Sequence, residues 1–257
     1  MSVLAAYCDD SDLNLGRLCS VAAVLSVPDG WVVFEESWMA VLGKYGVPYF
    51  RASEFDNRMG PFEGWDNARR LEFHCELLDV VRFNDPRIAG FAWTVEVAAF
   101  ERLANAERER LGSPFQVCAE WTIRAISRFL DESRPIAESG IPVRVAYCFD
   151  RHPGIGGLIQ SFERARKRVA KERRIASLAF GDKKEFCPIQ AADILAYESG
   201  KSALRELGVV DKEPRKSLER LRETMYLEGY LIGLDAMREV LRTGYDDFAR
   251  PDQPVDG

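Results

Sequence analysis

The stretch Cys187-Pro188-Ile189-Gln190-Ala191-Ala192-Asp193-Ile194-Leu195-Ala196-Tyr197 combines small and apolar residues with one amide and one carboxylate. Pro188 suits the first turn of a helix, where its missing N–H is not needed, and the Ala and Leu content favours a helix from 188 to about 204. Four polar residues recur at helical spacing and share one face: Gln190, Asp193, Tyr197 and Lys201. This face predicts a polar site, although a solvated Gln190 and an Asp193 that merely favours the positive end of the helix explain it as well.

The composition is that of a globular protein. With 257 residues, 47% of them hydrophobic, the chain can bury a large core in one domain, or in one domain with a sizeable insertion. The formal net charge is −6, so binding to nucleic acid or an anionic membrane requires a local positive patch. No apolar run is long enough to span a bilayer, and the six cysteines are scattered without metal-ligand spacing. We therefore expect a cytoplasmic protein with buried free thiols and no zinc.

Apolar runs predict the strands of the chain. Residues 3 to 8 form the first, ended by the acidic cluster Asp9-Asp10-Ser11-Asp12, which we expect to be a turn. Leu18 to Val27 and Trp31 to Phe34 predict two more strands, joined as an antiparallel meander. Further strands are predicted at 87–97, 143–149 and 174–180. Helices are predicted at 36–45, 67–83, 97–111, 115–132, 154–169, 216–228 and 233–242. This alternation predicts an α/β sheet with crossover connections.

The segment from Gly46 to Trp65 follows no helical or strand period. It is long enough to be a functional loop rather than a plain connection. Glu54 and Trp65 could supply a fourth carboxylate and an aromatic surface, whereas packing against the domain is the simpler role for Phe55, Phe62 and Trp65.

Carboxylates stand at the ends of two predicted strands and on the helix described first. Asp9 or Asp10 ends the first strand, and Asp150 ends a later one. If these strands are parallel neighbours, both carboxylates leave the sheet at its carboxyl edge, where α/β folds place their sites, and the helix brings Asp193 to the same edge. Converging carboxylates repel one another unless a cation lies among them, and an all-oxygen set selects Mg²⁺ or Mn²⁺. Two such ions would activate a water and stabilise the leaving oxygen of a phosphodiester.

Simpler roles explain each carboxylate taken alone. The cluster Asp9-Asp10-Ser11-Asp12 can build an Asx-type turn, and Asp150 can lie in a loop with a salt bridge. The group as a whole favours a metal site more than any single member does.

Four motifs resemble the bacterial and phage family known as domain of unknown function 3800. They are Tyr7-x-Asp9-Asp10-Ser11, Gly60-Pro61-Phe62-x-Gly64-Trp65, the strand ending in Phe149-Asp150, and Pro188-x-Gln190-x-Ala192-Asp193-x-Leu195-Ala196-Tyr197 followed by Lys201. The resemblance covers about residues 3 to 204. The family usually has Tyr-x-Asp-Glu-Ser-Gly near the N-terminus, whereas this chain has Asp10 for the glutamate and Asp12 for the glycine.

The resemblance implies a fold similar to that of ribonuclease H and the retroviral integrases, an α/β class with a mixed sheet flanked by helices. We expect one such domain over residues 1–204, with a helical insertion at about 36–86. A helical C-terminal extension with a loose acidic tail would occupy 205–257. The resemblance also implies a metal-dependent site that uses Asp9, Asp150 and Asp193, with Asp10 and Gln190 beside them.

A basic stripe from Arg164 to Arg174 holds seven basic residues in eleven. Lysine and arginine bind a phosphate backbone by displacing its counterions, so the stripe is a candidate nucleic-acid contact. It is equally explained as a solvated face of an acidic protein. The candidate contacts on it are Arg164, Lys167, Arg168 and Lys171.

These observations predict a divalent-metal-dependent nuclease that hydrolyses phosphodiester bonds in RNA or DNA. Asp10 would ligate the metal or position water, and Gln190 and Lys201 would orient the phosphate. The proposed ligands of Mg²⁺ or Mn²⁺ are Asp9, Asp150 and Asp193. The alternative is a catalytically inactive module of the same fold that binds nucleic acid through the basic stripe or a protein through the C-terminal helices.

Overall fold

The structure is a computed structural model, and it describes most of the chain. The described residues are 2–13, 16–83, 88–133, 138, 140–151, 153–168, 174–211, 216–223 and 225–243, with the backbone alone for 164–168.

A six-stranded mixed sheet in the order β5-β4-β1-β2-β3-β6 forms the centre of the fold. Its strands are β1 Ser2–Leu13, β2 Leu18–Ser26, β3 Ala89–Glu96, β4 Val143–Asp150, β5 Ile175–Gly181 and β6 Leu227–Ile232. β1, β2 and β3 form an antiparallel meander. β4 runs parallel to β1, β5 parallel to β4, and β6 parallel to β3. The predicted α/β class with a mixed sheet and flanking helices is confirmed.

Helices connect these strands. They are α1 Pro28–Tyr45, α2 Ala52–Asp56, α3 Asn67–Phe83, α4 Val97–Glu101, α5 Asn105–Leu111, α6 Pro114–Glu132, α7 Ile155–Arg168, α8 Cys187–Glu206, α9 Lys216–Arg222 and α10 Leu234–Thr243, with a 3-10 helix at Gly60–Phe62. Among the described residues, no helix is both long and apolar enough to cross a membrane.

The sheet carries a hydrophobic core on each face. Side chains alternate between the faces along a strand, so Val21 and Ala23 of β2 join the core covered by α6, and Ala22 and Val24 join the core covered by α8. Helices α1 and α3 contribute buried apolar side chains to the second core. As predicted, the aromatic residues of the irregular segment pack there: Phe55, Phe62 and Trp65.

The expected strand at Trp31 to Phe34 is wrong, because α1 begins at Pro28. An apolar run of four residues fits a strand or a helix equally well, and the burial of Trp31, Phe34 and Trp38 shows the helical spacing that decides between them. The third strand of the meander is β3 instead.

Two further expectations are corrected by the sheet. The cluster Asp9-Asp10-Ser11-Asp12 is not a turn, because β1 continues through it in antiparallel pairing with β2. The C-terminal extension is not purely helical, because β6 adds a strand beside β3. Gly229 permits this pairing, since a Cβ there would lie 2.4 Å from the carbonyl oxygen of Ala92.

Candidate carboxylate–lysine site

The parallel pairing of β1 and β4 brings two carboxylates to one edge of the sheet. The last pair of this ladder joins Cys8 to Phe149, and Asp9 and Asp150 follow directly. Asp193 reaches the same place from α8, which packs across β1, β2 and β3. Asp9 is 2% exposed and Asp193 is buried too, whereas Asp150 is partly exposed.

The ammonium group of Lys183 lies among the three carboxylates. Its Nζ pairs with Oδ2 of Asp9 and lies 3.2 Å from Oδ2 of Asp150 and 3.3 Å from Oδ1 of Asp193. The backbone N–H of Lys183 also donates to Oδ1 of Asp150, at 3.0 Å. The lysine belongs to the turn between β5 and α8, and its side chain is 12% exposed. One buried cation therefore holds together three carboxylates that would otherwise repel one another.

The charges of this site do not balance. Three carboxylates against one ammonium leave a net charge of −2 when all are ionised. Burial raises the pKa of Asp9 well above its usual range; Asp193 adds to the rise and Lys183 opposes it. Burial alone would lower the pKa of Lys183, but the carboxylates of Asp193 and Asp9 outweigh it and the pKa is raised. The lysine therefore stays charged, and the excess negative charge favours a proton on Asp9 or a second cation.

Gln190 shapes the site through its amide. Its Oε1 accepts hydrogen bonds from Nε1 of Trp38 at 2.8 Å and from the backbone N–H of Phe50 at 2.9 Å. Its Nε2 donates to the carbonyl oxygen of Lys183 at 2.7 Å. The residue is 1% exposed, so its amide joins the segment after α1 to the turn that carries the lysine.

Polar side chains of α8 also hold α2 in place. Oδ2 of Asp193 accepts the backbone N–H of Ala52 at 2.5 Å, while the other oxygen faces the lysine. The hydroxyl of Tyr197 donates to Oδ2 of Asp56 at 2.6 Å, and Nζ of Lys201 lies 3.6 Å from the same oxygen. Lys201 stands about 12 Å further along the helix than Asp193, so the structure does not bring it to the carboxylates.

The structure places Asp10 beside the site rather than in it. Its backbone N–H donates to Oδ1 of Asp9 at 2.8 Å. Asp9 pairs with Ala22 and Asp10 with Val21, and these partners belong to the cores on opposite faces of the sheet. Because side chains alternate along a strand, the carboxylate of Asp10 leaves on the face away from α8.

The basic stripe lies outside the side chains that the structure describes. Arg164, Lys167 and Arg168 have a described backbone within α7, and Lys171 falls in the range 169–173, which is not described. Its contribution to binding stays a prediction.

The donor chemistry of the three aspartates fits a hard divalent cation. Carboxylate oxygens are the ligands that Mg²⁺ and Mn²⁺ prefer, and three of them already face one cationic atom. Over the described residues, no group of three or more His, Cys, Asp and Glu side chains is arranged as a ready ligand set for a metal ion. The ammonium of Lys183 occupies the space between the carboxylates.

Sequence reasoning missed Lys183 and the way in which Phe50 and Ala52 contact α8. A lysine in a short turn has no periodicity that would single it out. Its position was nevertheless a usable signal, because Lys183 lies between the end of β5 and the start of α8, both of which are at the carboxylate edge.

Comparisons of the chain with protein-family models, with curated proteins and with solved structures found no match. The family resemblance drawn from the motifs stays a prediction.

Proposed function

We propose that the chain is a divalent-metal-dependent phosphodiesterase that cleaves RNA or DNA. The observation that carries the proposal is the convergence of Asp9, Asp150 and Asp193, from three distant parts of the sequence, on one cationic position at the carboxyl edge of the sheet. Sites of α/β proteins lie at this edge. The three aspartates would hold Mg²⁺ or Mn²⁺, which supplies an activated water and stabilises the charge of the leaving oxygen.

A ribonuclease-H-like architecture forms part of this proposal. An antiparallel meander continued by two parallel strands, with helices on both faces, is compatible with it. The convergence of carboxylates from β1, β4 and α8 at one edge of the sheet supports this part of the proposal.

We also propose that the protein is located in the cytoplasm. All six cysteines are free, and free thiols persist in a reducing compartment.

Lys183 has a defined part in this proposal. It holds the carboxylates together while no metal is bound, because its ammonium contacts all three. A divalent cation that takes the place of the ammonium would lower the negative charge of the site further, because three carboxylates and one divalent cation leave a net charge of −1. Asp193 keeps its orientation through the N–H of Ala52.

A second function is favoured by the same lysine. If its ammonium permanently serves as the only cation of the site, the chain is an inactive module that binds nucleic acid or a protein. Such a module would bind its partner equally well in the presence of a chelator.

A titration with Mn²⁺, monitored through the loss of the EPR signal of the free ion, distinguishes the metal-dependent enzyme from the inactive module. Asp150→Asn changes the most exposed of the three carboxylates, and Asp12→Asn is its matched control at the exposed end of β1. We expect the wild type and the control to bind Mn²⁺ and to cleave labelled oligonucleotides, and Asp150→Asn to lose both. A wild type that binds no Mn²⁺ would favour the inactive module.

A further inference from the structure

Each of the three aspartates of the site gives one carboxylate oxygen to a backbone N–H. Oδ1 of Asp9 accepts the N–H of the following residue at 2.8 Å. Oδ1 of Asp150 accepts the N–H of Lys183 at 3.0 Å. Oδ2 of Asp193 accepts the N–H of Ala52 at 2.5 Å. These backbone donors fix the orientation of all three carboxylates.

The second oxygen of each aspartate faces the same atom, Nζ of Lys183. These oxygens are Oδ2 of Asp9, Oδ2 of Asp150 and Oδ1 of Asp193. A metal ion that is held by all three aspartates therefore needs the position of the ammonium. Mg²⁺ lies about 2.0 to 2.1 Å from its oxygen ligands. It cannot share that position with the ammonium, because the two cations would overlap and repel each other.

We infer that Lys183 and the divalent cation exchange places: metal binding displaces the ammonium from the carboxylates, and the displaced ammonium pairs with a phosphate of the nucleic-acid substrate. The identity of the substrate rests on the proposed function. The exchange of the two cations is carried by the geometry of the carboxylates alone.

The contacts of Lys183 allow its side chain to leave while its backbone stays. Its carbonyl oxygen accepts Nε2 of Gln190 at 2.7 Å, and its N–H donates to Asp150. Neither contact involves the ammonium. Lysine carries its charge on a flexible stem of four carbons. The ammonium can therefore swing out while the turn and the carboxylates keep their places.

The site opens on the side of Lys183 and Asp150. Their side chains are 12% and 14% exposed, compared with 1% for Asp9 and 7% for Asp193. The displaced ammonium therefore moves toward solvent past Asp150, and a substrate approaches from the same side. A phosphate supplies the negative partner that the ammonium loses to the metal, in a charge-assisted hydrogen bond. Lys183 becomes a substrate contact once the metal is in place.

The exchange makes Lys183 a competitor of the metal, which Lys183→Met removes. This variant should bind Mn²⁺ at least about tenfold more tightly than the wild type, because the wild type must break its ammonium–carboxylate contacts to admit the ion. Its kcat at saturating Mn²⁺ should nevertheless fall, since it lacks the phosphate contact. A lysine that only stabilises the fold would not lower metal affinity. The matched control is Lys184→Met, at the exposed neighbouring position, which should bind Mn²⁺ like the wild type.

Limited acetylation with acetic anhydride, read at each lysine by mass spectrometry, follows Lys183 in the wild type and needs no variant. In EDTA the three carboxylates cover the ammonium, and we expect little acetylation of Lys183. Mg²⁺ should raise its acetylation several-fold. Addition of a phosphorothioate-linked oligothymidylate, which resists hydrolysis, should lower it again. Lys184 is the internal control, because it is exposed and Mg²⁺ should leave its acetylation unchanged.

Two results would overturn the inference while leaving the metal-dependent enzyme in place. One is a wild type that binds Mn²⁺ but whose Lys183 stays protected in Mg²⁺. The other is acetylation of Lys183 that rises with Mg²⁺ but does not fall with the oligothymidylate. A wild type that binds no Mn²⁺ refutes the enzyme instead. The shared position of the two cations then stands if Lys183→Met binds Mn²⁺, and is refuted as well if the folded variant does not.

Discussion

Replacing Lys183 by methionine removes the ammonium that contacts all three carboxylates while keeping the bulk of the side chain. Breaking a buried ion pair by removing one partner costs about 3 to 5 kcal/mol, because the other charge is left uncompensated. Lys183 is 12% exposed and Asp9 nearly fully buried, so this range applies. For a chain of 257 residues it corresponds to a fall in melting temperature of about 6 to 9 °C at neutral pH.

Circular dichroism melting curves of Lys183→Met, with and without Mn²⁺, measure this cost. Lys184→Met is the matched control, since Lys184 is adjacent and exposed. We expect the loss to shrink as pH falls, because protonated carboxylates no longer repel one another. We also expect Mn²⁺ to restore about 2.7 kcal/mol of stability at a concentration a hundredfold above its dissociation constant. A variant that melts with its control would refute the role of the ammonium, and a destabilised variant that Mn²⁺ does not rescue would refute the metal.

Three further predictions concern positions around the site and the sheet. Gln190→Leu leaves two buried donors, Nε1 of Trp38 and the N–H of Phe50, without their acceptor, at about 1 to 3 kcal/mol each, and urea denaturation should show a loss of at least about 2 kcal/mol. Gly229→Ala forces a Cβ against the carbonyl oxygen of Ala92 and should cost about 1 to 3 kcal/mol in the same assay; Gly233→Ala, where a Cβ meets nothing within 4 Å, should be near neutral. Burial raises the pKa of Asp9 in the folded protein. The stability that is linked to this carboxyl group is therefore fully present below its unfolded pKa and is lost as pH rises through its folded pKa. The free energy of unfolding of Asp9→Asn should accordingly rise relative to that of the wild type as pH increases through that window. Metal binding should then release a proton, measured by calorimetry in buffers of different ionisation enthalpy; a heat independent of the buffer would contradict this.

The helix α8 and the meeting of the carboxylates were predictable from local signals. Proline followed by Ala and Leu indicates the helix, and an aspartate directly after each of two apolar strands indicates a shared edge once the strands are parallel. The parallel pairing of β1 and β4 fulfils that condition. These parts of the structure follow from short-range patterns and one rule of sheet geometry.

The remaining features depend on tertiary contacts that no local pattern contains. Trp31 to Phe34 is too short for its period to distinguish a helix from a strand, and the start of α1 at Pro28 decides the matter. The polar face of α8 is explained from the sequence equally well by a solvated Gln190. In the structure Gln190 and Asp193 are buried, because the segment after α1 folds over them and supplies backbone donors.

Anomalous scattering from crystals soaked in Mn²⁺ shows directly whether a metal binds among the three carboxylates. We expect one peak within coordination distance of Asp9, Asp150 and Asp193, where carboxylate oxygens would surround a divalent cation. No peak at that position, with the ammonium of Lys183 still paired to all three carboxylates, would contradict it and would identify the lysine as the permanent cation of the site.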